Sequence, residues 1–414
     1  MTPRASSTSR TATKSAPSPR PKRAEPVRHR KAATTGPVLS STFRQHRVYK
    51  ETVTSREMTS RERVLTAFAR QEPDRVPINY AANTDIDLRL KKHFGLAEYD
   101  AEGLLRALGV DFRSVGPRFV GPKRHADIPS RNVLVDEWGI HRRWVEHETG
   151  GYWDYCDFPL REATLEEIEA WPLPSADDYD YSDIASRCAE YGRYAVIAGG
   201  AGTGCVINTA GFWRTMEQVL IDLITDDPAG QLLIDRFLEV QYKILARTLE
   251  AAKGGFQIMW MGEDLGTQNT QMISMDIFRR HIRPRHQRFI DLARSHGLVV
   301  ALHTCGSSSW TYDDYAEMGV AVVDTLQPEA ADMSPRYLKD RFGGKLAFHG
   351  CISTAGAVAF GSVEDVAAEV RETLRIMMPG GGYALAPTHQ LQDNSPAENV
   401  LSMYEAARKY GRYG

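Results

Sequence analysis

The fold of this chain is decided by runs such as VVALHTCGSSSW, residues 299–310, in which a short apolar stretch gives way to polar side chains. Val299 to Leu302 are the kind of residues that form a strand buried on both faces of a sheet. His303 and Cys305 follow at once, before a glycine and three serines. This pair could bind a metal, act as a nucleophile and its base, or lie in a polar turn.

Further runs of the same kind are spread along the chain and alternate with amphipathic, helix-like stretches. They are YAVIAGG (194–200), FQIMWMG (256–262), LVVALHT (298–304), VAVVDTL (320–326), KLAFHGC (345–351) and YALAPTH (383–389), preceded by VPINYAA (76–82). Short buried strands that alternate with helices favour a parallel sheet. We therefore predict a single (β/α)8 TIM barrel, with residues 110–182, rich in Trp, Tyr, Asp and Pro, as an elaborated insertion over one face.

Residues 1–57 differ in composition from the rest of the chain. They are rich in Ser, Thr, Pro, Arg and Lys and carry few large apolar side chains. Such a segment buries too little apolar surface to offset the entropy of ordering. We expect a disordered basic tail over residues 1–57 and the barrel over residues 58–414.

Composition excludes several classes of protein. The 414 residues are 42% hydrophobic and 25% charged with a formal net charge of −2, which is ordinary for a soluble globular chain. We therefore expect neither a nucleic-acid nor a membrane partner, since no apolar run approaches the ~20 residues of a spanning helix. Five cysteines at uneven spacing are not a disulfide framework, which favours a reducing, cytoplasmic location.

Polar residues gather where the predicted strands end. In a barrel the C-terminal ends of the strands meet at one face, which is where active sites lie. The predicted strands therefore bring a set of hydrogen-bonding and ionisable side chains to one cavity: Asn83, Glu263, Asp264, His303, Cys305, Asp324, Gln327 and His389.

His303 and Cys305 stand out because they are two residues apart on an extended segment, so their side chains point to the same side. Zinc prefers nitrogen and sulfur ligands, and a catalytic zinc keeps one position open. His389 and Glu263 are the natural third and fourth candidates. The competing chemistry is a cysteine nucleophile with a histidine base, for which the sequence identifies no third, orienting group. His349 is expected to pack under the sheet, and His281, His286 and His296 look like a solvated helix face.

Several long segments resemble the uroporphyrinogen decarboxylase superfamily. They are MTSRERVLTAFARQEPDRVPI, GEDLGTQNTQMISMDIFRRHIRPRHQRFIDLARSHGLVVALHTCGS, VVDTLQPEAADMSPRYLKDRFGGKLAFHG and PGGGYALAPTHQLQDNSPAENVLSMYEAARKYG. The resemblance covers about residues 58–414, and it implies a single (β/α)8 barrel.

The resemblance distinguishes two branches of that superfamily. True decarboxylases bind substrate carboxylates through arginines of an MRQAGRY-like motif, whereas this chain has VPINYAANTDIDLRLKKHF there, with Arg89 as the one arginine nearby. The cobalamin-dependent methyltransferase branch carries zinc on a His-x-Cys motif and a later Cys. His303 and Cys305 match that motif, His389 stands where the later Cys is expected, and Glu263 matches an acidic position.

The resemblance thus implies a zinc-dependent methyltransferase that moves a methyl group between a corrinoid and a small-molecule thiol or other acceptor. The corrinoid would be carried on a separate protein, since this chain has no D-x-H-x-x-G segment. Asp264 and Glu263 are the predicted catalytic residues, and the predicted substrate-binding residues are Asn83, Asn208, Asp324 and Gln327. Two alternatives stay open: a metal-free lyase of a carboxylated substrate that uses His389 and Asp264 as acid and base, and a barrel that binds a small molecule or a partner without catalysis.

Overall fold

A computed structural model describes residues 57–147 and 150–414. The expectation of a disordered tail falls on residues outside these ranges. Within the described part, the strands are β1 (Phe112–Ser114), β2 (Arg118–Phe119), β3 (Val133–Val135), β4 (His141–His147), β5 (Gly150–Tyr155), β6 (Tyr179–Asp180), β7 (Ala195–Gly199), β8 (Ile258–Gly262), β9 (Val299–Thr304), β10 (Val322–Thr325), β11 (Ala347–Ile352) and β12 (Tyr383–Pro387).

The helices of the described part lie mostly between the strands of the core. They are α1 (Ser60–Phe68), α2 (Thr84–His93), α3 (Ala101–Leu108), α4 (Leu165–Ala170), α5 (Ile184–Glu190), α6 (Ile207–Arg214), α7 (Met216–Thr225), α8 (Pro228–Ala251), α9 (Met275–Ile277), α10 (Arg283–Ser295), α11 (Tyr312–Met318), α12 (Pro335–Phe342), α13 (Ala357–Phe360), α14 (Val363–Met377) and α15 (Ala397–Tyr410). A π-helical turn, Phe278–Ile282, joins α9 to α10, and 3-10 turns cover Pro129–Arg131, Ala176–Asp178 and Ser309–Thr311.

The core is a parallel sheet in the order β1-β7-β8-β9-β10-β11-β12. Its strands pair in sequence order, as the apolar runs predict, and the side chains of β8, β11 and β12 are buried throughout. Strands covered on both faces need no alternation of polar and apolar residues, which is why these runs are continuous. The six predicted strands between residues 194 and 389 are confirmed.

The segment around Ile78 occupies the remaining position of the barrel. Asn79 donates a backbone hydrogen bond to Leu385 of β12, and Leu385 donates one to Pro77, both at 2.9 Å. On the other side, the backbone N–H of Asp111, just before β1, donates to Ile78 at 2.9 Å. The segment therefore joins the two edges of the sheet, and Pro77 keeps it irregular because proline has no N–H to donate. The predicted α/β barrel is confirmed.

A buried group of charges supports this closing segment. The carboxylate of Asp111 is fully buried and accepts 2.8 Å hydrogen bonds from Arg63, Arg75 and the backbone of Ile78. Asp74 also pairs with Arg63, at 2.7 Å. Both oxygens of Asp111 are thus satisfied by cations and by the closing segment itself, as a buried carboxylate requires.

The insertion between β1 and β7 contains the antiparallel sheet β3-β4-β5. Trp144 and Trp153 face each other across this hairpin with ring centroids 5.6 Å apart. Tyr155 stacks on Phe212 of α6 at 3.7 Å, so the insertion is attached to the barrel through aromatic packing. The prediction of an insertion over residues 110–182 was wrong at its start, because barrel strand β1 lies inside that range.

The histidines of the helix preceding β9 correct a second expectation. His286 is fully buried and lies 3.1 Å from the hydroxyl of Tyr315, and His281 is also buried. Only the third histidine of that set, His296, is exposed, as expected. His281 and His286 lie on the buried face of the helix, and the neighbouring arginines make that face hard to recognise from the sequence.

In the described ranges, none of the helices combines the length and the apolar character that crossing a bilayer requires.

Candidate metal centre

Three potential metal ligands meet where β8 and β9 end. They are Asp264, His303 and Cys305, and one ligand atom from each lies within 4.8 Å of the other two. His303 Nε2 is 3.4 Å from Cys305 Sγ and 3.7 Å from an oxygen of Asp264. The alternation predicted for β9 holds, because Thr304 between the two points into the protein and is fully buried.

The parallel register of β8 and β9 explains why Asp264 joins the pair. Gly262 pairs with His303, and the chain continues so that Asp264 Oδ1 accepts a 2.8 Å hydrogen bond from the backbone N–H of Cys305. Asn208 of α6 donates to the other carboxylate oxygen at 2.6 Å. The carboxylate is therefore held in one orientation against the thiol and the imidazole.

His303 is oriented by Asp324, which stands at the end of the neighbouring strand β10. The distance from His303 Nδ1 to Asp324 Oδ2 is 2.6 Å. Because a carboxylate accepts hydrogen bonds, Nδ1 carries the proton, and Nε2 faces Cys305 and Asp264. Histidines that bind metals are commonly held by a carboxylate in this way.

A second histidine contacts the same carboxylate. His349 Nδ1 of β11 lies 2.5 Å from Asp324 Oδ1, and Asn79 Nδ2 lies 3.0 Å from His349 Nε2. Burial raises the pKa of Asp324, but its interactions with His349 and His303 outweigh this effect and lower that pKa to about 2. The shift therefore favours the ionised form of Asp324.

The pKa values of His303 and Cys305 are both shifted. Burial lowers the pKa of His303, but the hydrogen bonds to Asp324 and Cys305 outweigh that effect and raise it well above its usual range. Burial raises the pKa of the Cys305 thiol, and His303 offsets this only in part. Without a metal, both groups hold their protons at neutral pH.

His303, Asp324 and His349 border a cavity of about 380 Å³ at the C-terminal face of the barrel. Its walls are Asn79, Tyr80, Ala81, Ala201, Trp260, His303, Asp324, Thr325, His349, Ala386, Pro387, His389 and Gln390. Among the described residues that form these walls there is no lysine or arginine. The cavity thus offers histidines, aromatic rings and carboxylate but no strong cation for an anionic substrate.

The comparison with known protein families decides the relationship. The family described as uroporphyrinogen decarboxylase (URO-D) matches residues 188–410, which is more than half of the chain. The chain belongs to the uroporphyrinogen decarboxylase family. The resemblance stated from the sequence is thus confirmed, and the match spans the strands that supply Asp264, His303, Cys305 and Asp324.

Two solved structures are similar to this chain to different degrees. A methyltransferase from Methanosarcina mazei has a TM-score of 0.57 at 16% identity, over 86% of this chain and 99% of that one. A 3-keto-D-glucoside 4-epimerase from E. coli aligns at a TM-score of 0.35 and 14% identity, over 60% of this chain and 94% of that one. The first likeness shows the fold. No curated protein sequence matches the chain.

Glu263 lies apart from the centre, although the sequence made it a candidate ligand and catalytic acid. Its carboxylate is buried and accepts hydrogen bonds from the backbone N–H groups of Val206 and Ile207, at 2.6 and 3.0 Å. It thus binds the N-terminus of α6, where backbone N–H groups lack partners within the helix. His286 Nε2 is 3.5 Å from the same carboxylate. This geometry replaces Glu263 by its neighbour Asp264 as the acid of the candidate centre.

We expect the variant Glu263→Ala to unfold more easily while it still binds zinc. Two buried N–H groups would lose their acceptor, which costs about 1–3 kcal/mol of unfolding free energy for each unsatisfied group. Denaturant titration measures the loss of stability, and elemental analysis of the folded variant measures the metal. If the folded variant lost zinc while its stability stayed at the wild-type value, Glu263 would be a ligand after all.

The predicted substrate-binding residues have roles within the protein. Asn83 caps α2 by accepting a 3.1 Å hydrogen bond from Ile86, and Asn208 holds Asp264. Gln327 accepts a 2.6 Å hydrogen bond from the backbone of Gly306, beside Cys305. Asp324 lines the cavity but is held between two histidines. A substrate contact for these four residues stays a prediction.

His389 lines the same cavity as His303, and its side chain is exposed at the end of β12. It does not belong to the cluster of three within 4.8 Å. Sequence reasoning missed Asn79, and it placed His349 at a strand end beside the cavity but read its side chain as packing under the sheet. Both lie on strands or segments that end at this cavity, which was the available signal.

Proposed function

We propose that this chain is a zinc-dependent methyltransferase that moves a methyl group between a corrinoid and a small-molecule thiol or other acceptor. The observation that carries the proposal is the convergence of Asp264, His303 and Cys305, with His303 Nε2 directed into the group by Asp324. The fold shared with a methyltransferase from Methanosarcina mazei supports the same class of reaction.

The donor set fits zinc in both chemistry and spacing. Nitrogen, sulfur and carboxylate oxygen are its usual ligands, at about 2.0–2.3 Å, so two ligands of a tetrahedral ion lie about 3.3–3.8 Å apart. The separations of His303 Nε2 from Cys305 Sγ and from the Asp264 oxygen are 3.4 and 3.7 Å. Three protein ligands leave a fourth position, as catalytic zinc sites do.

When bound, zinc would act as a Lewis acid and lower the pKa of a thiol in the fourth position. The protein's own residues prepare that position. Asp324 fixes the ring of His303, Asn208 fixes the carboxylate of Asp264, and Gln327 fixes the loop that follows Cys305. Trp260 and Tyr80 line the same cavity as His303.

The cavity of about 380 Å³ is near the lower end of the 300–1,000 Å³ range of small-molecule sites. It has room for a small acceptor, whereas a corrinoid is far larger. We therefore propose that the corrinoid belongs to a separate protein that meets the mouth of the barrel. A reducing compartment such as the cytoplasm is part of the proposal, because Cys305 must stay reduced to bind metal.

The metal-free lyase that uses His389 and Asp264 as acid and base remains the second candidate, and a cysteine nucleophile with a histidine base is a separate competing chemistry. Asp324 supplies the orienting group that a Cys305–His303 nucleophile would need. However, an activated cysteine has a lowered pKa, whereas burial raises that of Cys305. A substrate with several carboxylates would also find no arginine or lysine among the described residues around the cavity. Zinc chemistry agrees better with both findings.

We expect zinc to bind more tightly as the pH rises from about 6 to 8. The pKa values of His303 and Cys305 are both raised, so both groups hold protons that zinc must displace. Each proton released makes the apparent affinity rise about tenfold per pH unit. Competition with a chromophoric chelator at a series of pH values measures this slope. A flat profile would show that neither group gives up a proton to the metal.

The reaction itself is tested with zinc-loaded protein, methylcobalamin and a panel of small thiols, followed by the absorbance change of the corrinoid. We expect methyl transfer that requires Cys305, with Cys156→Ala as the matched control because Cys156 lies in the insertion. Transfer by wild type and Cys156→Ala, but not by Cys305→Ala, would support the proposal. Equal rates in all three proteins would overturn the role of the centre.

A further inference from the structure

We propose that Asn79 and His349 are positioning residues that set the proton arrangement of the candidate metal centre through Asp324. They determine which nitrogen of each imidazole faces Asp324, and they leave His303 Nε2 directed toward the other candidate ligands. The consequence for zinc rests on the proposed function, whereas the proton arrangement itself does not.

A backbone N–H group fixes which atom of the Asn79 amide faces His349. Asn79 Oδ1 accepts a 2.9 Å hydrogen bond from the N–H of Tyr80, which fixes the orientation of the amide. Its Nδ2 therefore faces His349 Nε2, at 3.0 Å. An amide nitrogen only donates hydrogen bonds, so His349 Nε2 must accept and carries no proton. The proton of the neutral ring is then on Nδ1.

Asp324 contacts both imidazoles, so it also determines which nitrogen of His303 carries a proton toward it. The Nδ1–H of His349 donates to Asp324 Oδ1 at 2.5 Å, and Asp324 Oδ2 accepts from His303 Nδ1 at 2.6 Å. An ionised carboxylate has no proton to give, so both rings present Nδ1–H to it. His303 Nε2 is consequently the nitrogen that Asp324 does not contact, and it faces Cys305 and Asp264.

Asn79 selects the tautomer of His349, which Asp324 alone does not do. A proton on His349 Nε2 would face the N–H donors of the amide, so Asn79 disfavours the tautomer that carries its proton on Nε2. The other tautomer would turn a lone pair of Nδ1 toward the carboxylate and push it away from His303. Asn79 thereby keeps Asp324 in place as the acceptor of His303.

The surroundings hold this chain of contacts rigidly. The ring of His349 has Trp260 and Phe112 against it in edge-on contacts, with centroids 4.8 and 5.6 Å away. Tyr404 donates a 3.0 Å hydrogen bond to the carbonyl of Asn79. Asn79 belongs to the segment that closes the barrel, so closure of the fold and orientation of the centre depend on the same residues.

The test is NMR of the metal-free, full-length protein labelled with ¹⁵N-histidine, since protonated and unprotonated imidazole nitrogens have well-separated shifts. The signal of His349 is assigned by its loss in His349→Gln. We expect wild-type His349 to show protonated Nδ1 and unprotonated Nε2 near neutral pH. A protonated Nε2 in the wild-type protein would overturn the inference, and this result requires no variant other than the one used for assignment.

The variant Asn79→Asp reverses the direction of the first contact, because a carboxylate accepts a hydrogen bond where the amide donated one. We expect a proton on His349 Nε2 and a zinc affinity about 10- to 100-fold below wild type, as for other outer partners of metal ligands. Asn132→Asp is the control, since Asn132 is exposed and caps a distant turn. A merely structural role for Asn79 would leave the ¹⁵N shifts of His349 unchanged.

The two measurements separate this inference from the proposed function. The predicted ¹⁵N pattern in a protein that binds no zinc would support the positioning role and contradict the zinc enzyme. Zinc bound with the opposite pattern, or with equal affinity in Asn79→Asp and wild type, would contradict the positioning role and leave the metal centre intact.

Discussion

The variant Cys305→Ala is expected to bind zinc more than about 100-fold more weakly than wild type, because loss of an outer partner already costs about 10–100-fold. Cys305 supplies the sulfur of the candidate centre, 3.4 Å from His303 Nε2. No other cysteine belongs to the clusters of potential ligands found in residues 57–147 and 150–414. Affinity is measured by competition with a chelator on folded protein.

Two further variants make that result specific. Cys156→Ala should bind zinc as wild type does, since its thiol lies in the insertion. His389→Ala should keep zinc but slow methyl transfer, because His389 lines the cavity and lies outside the cluster of three. Loss of zinc in His389→Ala would instead make this histidine a ligand, as the resemblance implied. If Cys305→Ala bound zinc as tightly as wild type, the proposed zinc site would be wrong.

The variant Asp111→Ala is expected to lower the free energy of unfolding by about 3–5 kcal/mol, because removal of one partner leaves buried charge without compensation. Asp111 is fully buried, and it pairs with Arg63 and Arg75 and accepts the backbone N–H of Ile78. The closing segment of the barrel would lose its acceptor together with the ion pairs. Denaturant titration measures the change.

Asp177→Ala is the matched control for that experiment. Asp177 also pairs with an arginine, Arg247, at 2.6 Å, but its side chain is 81% exposed. Exposed pairs of this kind contribute about 0–1 kcal/mol. Similar losses in Asp111→Ala and Asp177→Ala would show that the buried group does not hold the closing segment.

The sequence was sufficient for most of the barrel because strands covered on both faces are continuous apolar runs. β1 was missed since Phe112–Ser114 is short and contains Arg113, whose charge is paired with Glu102. The segment VPINYAA was recognised as a strand, but its contact with β12 depends on Leu385, which is more than 300 positions away. Periodicity carries no information about such pairings.

The candidate site was predictable where local geometry decides it. His303 and Cys305 share a side because residues two apart on a strand do so. Glu263 and Asp264 are adjacent acids, and a shift of one residue decides which of them faces His303 and Cys305 and which binds α6. Strand boundaries read from sequence are uncertain by about two to four residues, so this choice required the structure.

The contacts of Asp324 could not be predicted from the sequence, for a different reason. Asp324, His303 and His349 come from three neighbouring strands in register, and Asn79 joins them across 270 positions of sequence. Each of these residues has an ordinary explanation when it is considered alone. The roles of these residues depend on which nitrogen faces which oxygen, and only the tertiary structure fixes that.

Elemental analysis of the wild-type protein, purified from cells supplied with zinc, tests the central claim most directly. A site with one nitrogen, one sulfur and one carboxylate ligand predicts about one zinc per chain. Protein without zinc that also took up none from solution at neutral pH would contradict the account. His303, Cys305 and Asp264 would then be pocket residues, and the metal-free lyase would take precedence.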